Sequence, residues 1–128
     1  MSIYFILAAM IFLHIIDDYC LQAPCLCDLK QKSFWEKNAP QKLYRNDYLC
    51  ALLMHGLSWS FMIMLPIAAV LTFNVSLNFF LMFIANAVFH ATIDDLKANK
   101  YRINLWTDQL IHIGQIIVTF ILYTLGVM

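Results

Sequence analysis

The chain has 128 residues, of which 62% are hydrophobic and only 12% charged, with eight basic and eight acidic side chains. An average soluble domain carries roughly 25% charged residues, so this composition excludes a globule covered by water-facing polar surface. No acidic or basic block is long enough for a nucleic-acid-binding tail, and the length fits a single domain over residues 1–128.

Four apolar stretches follow in chain order, at about 2–22, 48–72, 75–93 and 106–128. Each is near the roughly 20 residues that a helix needs to cross a bilayer core. The first has no Lys or Arg ahead of its apolar run and no small-residue cleavage site, so it reads as a span and not a signal peptide. Between the first two spans, residues of about 23–47 mix apolar and basic side chains. This segment reads either as a short amphipathic helix on an anionic leaflet or as an ordinary solvated connection. Cys20, Cys25, Cys27 and Cys50 cluster around it in no zinc-type C-x-x-C spacing. A loop facing the cytoplasm keeps its thiols reduced, and Cys25-Leu-Cys27 reads as apolar filler ahead of soft metal ligands. Pro66 lies inside the second span and is tolerated in a membrane where neighbouring helices satisfy the freed carbonyl.

Charge gives the orientation. Lys30, Lys32, Lys37, Lys42 and Arg45 lie in the first loop, and Lys97, Lys100 and Arg102 in the third, at about 94–105; the connection over 72–78 has no charge. The positive-inside rule then places the first and third loops in the cytoplasm and both termini outside it. Trp35, Trp106, Tyr44, Tyr48 and Tyr101 suit an interfacial belt beside those loops. The expected fold is all-α: four transmembrane helices in an antiparallel bundle.

Within the apolar runs stand three pairs at helical spacing: His14 with Asp18, His90 with Asp94, and Asp108 with His112; His55 is the fourth histidine. A spacing of four puts both members of a pair on one helix face. Helix directions that alternate bring all seven residues to one depth at the cytoplasmic end. Gln22, Ser58, Asn86, Gln115 and Thr119 extend the same polar stripes. Ionisable side chains in a membrane are costly and point to function. Asp17 and Asp95 are expected about 100° off these stripes, at the interface.

Imidazole with carboxylate suits zinc, with iron or manganese as alternatives, better than magnesium. The candidate ligands are His14, Asp18, His55, His90, Asp94, Asp108 and His112. Seven exceed one catalytic site, so either two metals share them or some carboxylates orient histidines. A remaining carboxylate among Asp18, Asp94 and Asp108 is the candidate general base. Lys97 and Arg102, near the mouth, could hold a phosphate, although basic loop residues are more often topology signals.

These motifs resemble the small polytopic membrane proteins of bacteria and their phages grouped as domain of unknown function 3307. The resemblance rests on His14-Ile-Ile-Asp-Asp18-Tyr-Cys-Leu-Gln22, the His55 segment, His90-Ala-Thr-Ile-Asp94-Asp-Leu-Lys97 and Asp108-Gln-Leu-Ile-His112. It covers nearly the whole chain. Tyr19 stands where the family pattern has Phe, and Asp17 where it has a small residue. The resemblance implies Asp18 as the partner of His14 and adds Gln22, Lys97 and Gln109 as candidate substrate-binding residues. It brings no activity with it.

The expected function is therefore a metal-dependent hydrolase of the inner (cytoplasmic) membrane, the host's inner membrane if phage-encoded. It would act on a lipid or another amphipathic substrate. The alternatives are a proton or metal-ion transporter and a non-enzymatic membrane protein with a structural polar network. The nearly apolar outer halves of the spans argue against a through-path.

Overall fold

The computed structural model describes residues 2–128. Among these residues the chain is helical throughout and has no strand. Helix α1 covers Ile3–Ile16 and passes into a π-helical turn at Asp17–Leu21. Two short helices follow, α2 (Pro24–Leu29) and α3 (Lys32–Asn38), then a 3₁₀ turn at Lys42–Tyr44. The long helices α4 (Asp47–Val70), α5 (Leu77–Ala98) and α6 (Leu105–Thr124) complete the fold. Four helical segments are long and apolar enough to cross a membrane: Ile3–Leu21, Lys42–Val70, Leu77–Ala98 and Leu105–Thr124.

Helix starts follow capping chemistry. Ser76 Oγ accepts the Phe79 backbone N–H at 3.1 Å, and Asn104 Oδ1 accepts that of Thr107 at 2.9 Å. Each satisfies one of the orphan donors of a helix N-terminus. Two boundaries differ from the hydropathy reading. Helix α5 does not end at 93 but continues to Ala98, carrying Asp94 and Lys97 on helix where a loop is expected. Ile93 to Ala98 contains neither Gly nor Pro, and the polar residues Asp94 and Lys97 find partners indoors, so nothing stops the helix. The last helix stops at Thr124, short of 128, with Gly126 at a φ of 72° just beyond it. In the first loop, two short helices stand in place of a single amphipathic one.

The packing is inside-out relative to a soluble protein. Phe5, Phe12, Phe61, Phe80, Leu81, Val88, Leu110 and Val118 are exposed, whereas His14, His55, His90, Asp94, Asp108 and His112 are buried. So broad an apolar exterior suits lipid and not water. One half of the interior is an apolar core of Ile6, Met10, Trp59, Ile63, Met64, Ile67, Phe79 and Ile116. The other half holds the ionisable residues.

Helices α4 and α5 touch most closely at Gly56, where a Cβ would run into the carbonyl oxygen of Ala87 and meet the Ala91 methyl at 3.4 Å. Small residues at such crossings let backbones approach, the usual basis of helix association in lipid. Ser60 Oγ adds a hydrogen bond to the Phe83 carbonyl at 2.7 Å. Replacing Gly56 with Val should force the two helices apart and cost about 1–3 kcal/mol. Thermal unfolding in detergent should show a lowered Tm, and an unchanged Tm would contradict this close approach.

Candidate metal centre

His14 and Asp18 lie at the end of α1 and in its π turn, His55 in the third turn of α4, His90 and Asp94 late in α5, and Asp108 and His112 early in α6. All seven meet. His55 Nε2 lies 3.5 Å from Asp18 Oδ1 and 3.7 Å from Asp94 Oδ2. His90 Nε2 faces both carboxylates, at 4.0 Å from Asp18 Oδ1 and 3.8 Å from Asp94 Oδ1. His112 Nε2 sits 3.5 Å from Asp94 Oδ1 and 3.4 Å from Asp108 Oδ1.

These separations carry chemical meaning. A nitrogen–oxygen hydrogen bond spans about 2.7–3.2 Å, so the pairs are too far apart to be bonded to each other. A tetrahedral ion with bonds of about 2.0–2.1 Å holds its ligand atoms about 3.4 Å apart. The observed spacing is at or slightly beyond that edge length. Two sets of donor atoms fall together in this way, Asp18–His55–His90 and His90–Asp94–His112. His90 belongs to both sets, which therefore adjoin each other.

Burial sharpens the point. Asp18 Oδ1, Asp108 Oδ1, His90 Nε2 and His112 Nε2 are all buried with no hydrogen-bond partner. Leaving a buried polar group unmet costs about 1–3 kcal/mol each. The Nδ1 atoms of His90 and His112 also lack partners; those rings are held by stacking instead. Trp59 lies against His90 with ring centroids 4.3 Å apart, and His90 against His112 at 4.1 Å.

The surrounding residues supply counter-charge and orientation. Lys30 Nζ donates to Asp94 Oδ2, and Lys97 Nζ to Asp108 Oδ2, each at 2.6 Å. Each ammonium pairs with one carboxylate of the cluster. Lys97 is thus engaged inside the cluster, while Arg102 is exposed. Gln109 Nε2 bridges Asp18 Oδ2 and Asp108 Oδ2, at 3.2 Å to each. With its side-chain amide turned end for end, Gln22 accepts from Lys30 Nζ and donates to the Asp18 carbonyl at 3.2 Å.

Asp17 departs from its expected place. It is not interfacial but 1% exposed, with Ser58 Oγ donating to its Oδ1 at 2.6 Å and His55 Nδ1 3.5 Å from its Oδ2. The π turn explains this: its wider coil advances each residue by a smaller angle, so neighbouring Asp17 and Asp18 both face inward. Asp95, by contrast, reaches outward to Lys100 at 2.8 Å. The four cysteines are exposed and unpaired, apart from the cluster.

Two site residues escape a reading by His/Asp spacing. Trp59, fully buried, donates its indole N–H to His14 Nδ1 at 2.8 Å. An indole nitrogen only donates, so Nδ1 carries the lone pair and the neutral ring keeps its proton on Nε2. The same Nδ1 lies 3.6 Å from Asp18 Oδ2, so the Trp59 bond fixes the His14 ring beside that carboxylate. Trp59 stands four residues after His55, a helical spacing that could have revealed it. Lys30 has no such signal, being a loop lysine brought indoors by the fold.

A second polar layer lies one turn further along. Asn86 Nδ2 donates to Thr119 Oγ1 at 3.0 Å, and Gln115 Nε2 donates to Asn86 Oδ1 at 2.9 Å. No family model, curated protein or solved structure matches this chain.

Trp59→Phe keeps the stacked ring but removes the N–H that fixes His14. Metal affinity should fall by about 10–100-fold, as for other partners that orient a site from behind. Titration with zinc under competition from a chelator measures this, and an unchanged affinity would remove Trp59 from the site.

Proposed function

We propose that the chain is a multi-pass inner-membrane protein whose His/Asp cluster holds one divalent transition metal, zinc ahead of iron or manganese, and serves as a metal-dependent hydrolase on a membrane-associated substrate. The observation that carries this reading is the group of buried donor atoms without hydrogen-bond partners, set among carboxylates and imidazoles at ligand spacing. The ligands would be drawn from the two donor sets, His55, His90 and His112 with Asp18 and Asp94, leaving one position open for water. Asp108, whose Oδ1 is free and whose Oδ2 is held by Lys97 and Gln109, is placed to hold a proton as general base. A metal bound there supplies Lewis acidity toward water and toward a carbonyl or phosphoryl oxygen.

Transport fits less well. Beyond Asn86, Gln115 and Thr119 the interior is closed by Met10, Ile63, Ile67 and Ile116, all essentially inaccessible. A path for ions would need polar groups there. Hydrolase chemistry needs none. The basic loops support a cytoplasmic placement of the cluster end, with the termini on the other side. On this proposal the chain is a member of the domain of unknown function 3307 family, on its His14–Gln22, His90–Lys97 and Asp108–His112 motifs.

Elemental analysis of detergent-purified protein should find one transition metal per chain, falling below about a tenth of that in His90→Ala, because His90 serves both donor sets. A metal-free wild type, with His90→Ala and His112→Ala only lowering stability, would leave a structural polar network as the reading. Topology has its own test. Cys25 and Cys27 are exposed in the first loop, so a membrane-impermeant maleimide should label inverted vesicles and spare intact spheroplasts. Labelling of the spheroplasts would reverse the orientation.

A further inference from the structure

Access to the cluster differs on its two sides. On the loop side the segment between α2 and α3 is tied down over it. Lys30 is 6% exposed with its ammonium on Asp94. Asn99, just past α5, donates to the Lys30 carbonyl at 3.0 Å and accepts the Lys32 backbone N–H at 2.7 Å. Trp35 Nε1 donates to the Leu29 carbonyl at 2.9 Å. These bonds hold the loop as a cap.

Between α1 and α6 the situation is reversed. A groove of about 480 Å³ runs there, lined by Ile15, Tyr19, Leu105, Trp106 and Ile113, and it reaches two site residues, His14 and Gln109. The volume is within the range of small-molecule sites, about 300–1,000 Å³. Its walls are apolar, and its two helices are among those long and apolar enough to cross a membrane. Tyr19 and Trp106, 58% and 80% exposed, flank its loop end as aromatic side chains do at headgroup level. At its inner end, Gln109 touches both Asp18 and Asp108.

We propose that this groove takes the single hydrocarbon chain of a membrane amphiphile, admitted sideways from the bilayer, so that its polar head lies against Gln109 and the metal centre. The occupant follows from position: what faces a groove between two membrane-crossing helices is lipid, and on the loop side Lys30, Asn99 and Trp35 tie the cap down over the cluster. Apolar walls match the chain, while His14 and Gln109 meet the first polar atoms of the head. The fate of the head rests on the hydrolase reading above; the seating of the chain does not.

The test is native mass spectrometry of detergent-purified protein titrated with palmitoyl lysophosphatidylglycerol. Wild type should retain one molecule per chain. Ile113→Trp fills the groove and should weaken retention at least about tenfold, with Ile15→Trp as a second variant should the first misfold. Val118→Trp is the control, because it fills a comparable groove of about 470 Å³ between α5 and α6 that contains no residue of the metal centre. It should retain the lipid as wild type does. Equal retention by all variants, or parallel loss in Ile113→Trp and Val118→Trp, would overturn the proposal. Metal content measured on the same samples separates the two readings. A wild type without metal that still loses lipid on Ile113→Trp leaves the groove standing and removes the hydrolase.

Discussion

Buried charge must be balanced where water cannot help. Four aspartates and four histidines are drawn into the interior of an apolar bundle, and only Lys30 and Lys97 enter with them as cations. Desolvating an ion costs several kcal/mol even after relaxation, and removing one partner of a buried pair exposes that cost. The rest of the arrangement follows from meeting it. The π turn brings in Asp17 beside Asp18, Ser58 and Gln109 take up carboxylate oxygens, and Trp59 fixes His14. What these contacts leave over is a set of buried donor atoms at ligand-edge spacing.

The apolar half and the polar half of the bundle depend on each other. Gly56 adjoins His55, and the same α4–α5 contact that needs a residue without Cβ positions His55 near His90, their rings 4.9 Å apart. Trp59 belongs to both halves: it is part of the apolar core, and its N–H and ring face hold two histidines. A rigid scaffold of this kind is what a metal site requires, since ligands must be held close to their bonded geometry before the ion arrives.

Much of this was legible in the sequence, for a physical reason. A helix repeats its face every three or four residues, so His14 with Asp18, His90 with Asp94 and Asp108 with His112 had to share faces once the spans were helical. Hydropathy supplied the spans. Spacing could not place Asp17, because its inward turn depends on a local π coil that an ideal helical wheel does not contain. Nor could it find Lys30, whose burial depends on contacts with Asp94 and Asn99 more than sixty residues away. A hydropathy boundary at 93 puts Lys97 in a loop near the mouth, and the continuation of α5 instead gives it to Asp108. Long-range partners and irregular turns are where local patterns end.

Whether these side chains form one nitrogen- and oxygen-ligated metal centre, as proposed, is read from the X-ray absorption spectrum of the zinc-loaded protein. A first shell of nitrogen and oxygen at about 2.0–2.1 Å is expected, with the outer scattering of imidazole rings and no sulfur. A sulfur shell near about 2.3 Å would move the metal to the cysteines of the first loop. A shell without imidazole scattering would likewise contradict a centre built on His55, His90 and His112.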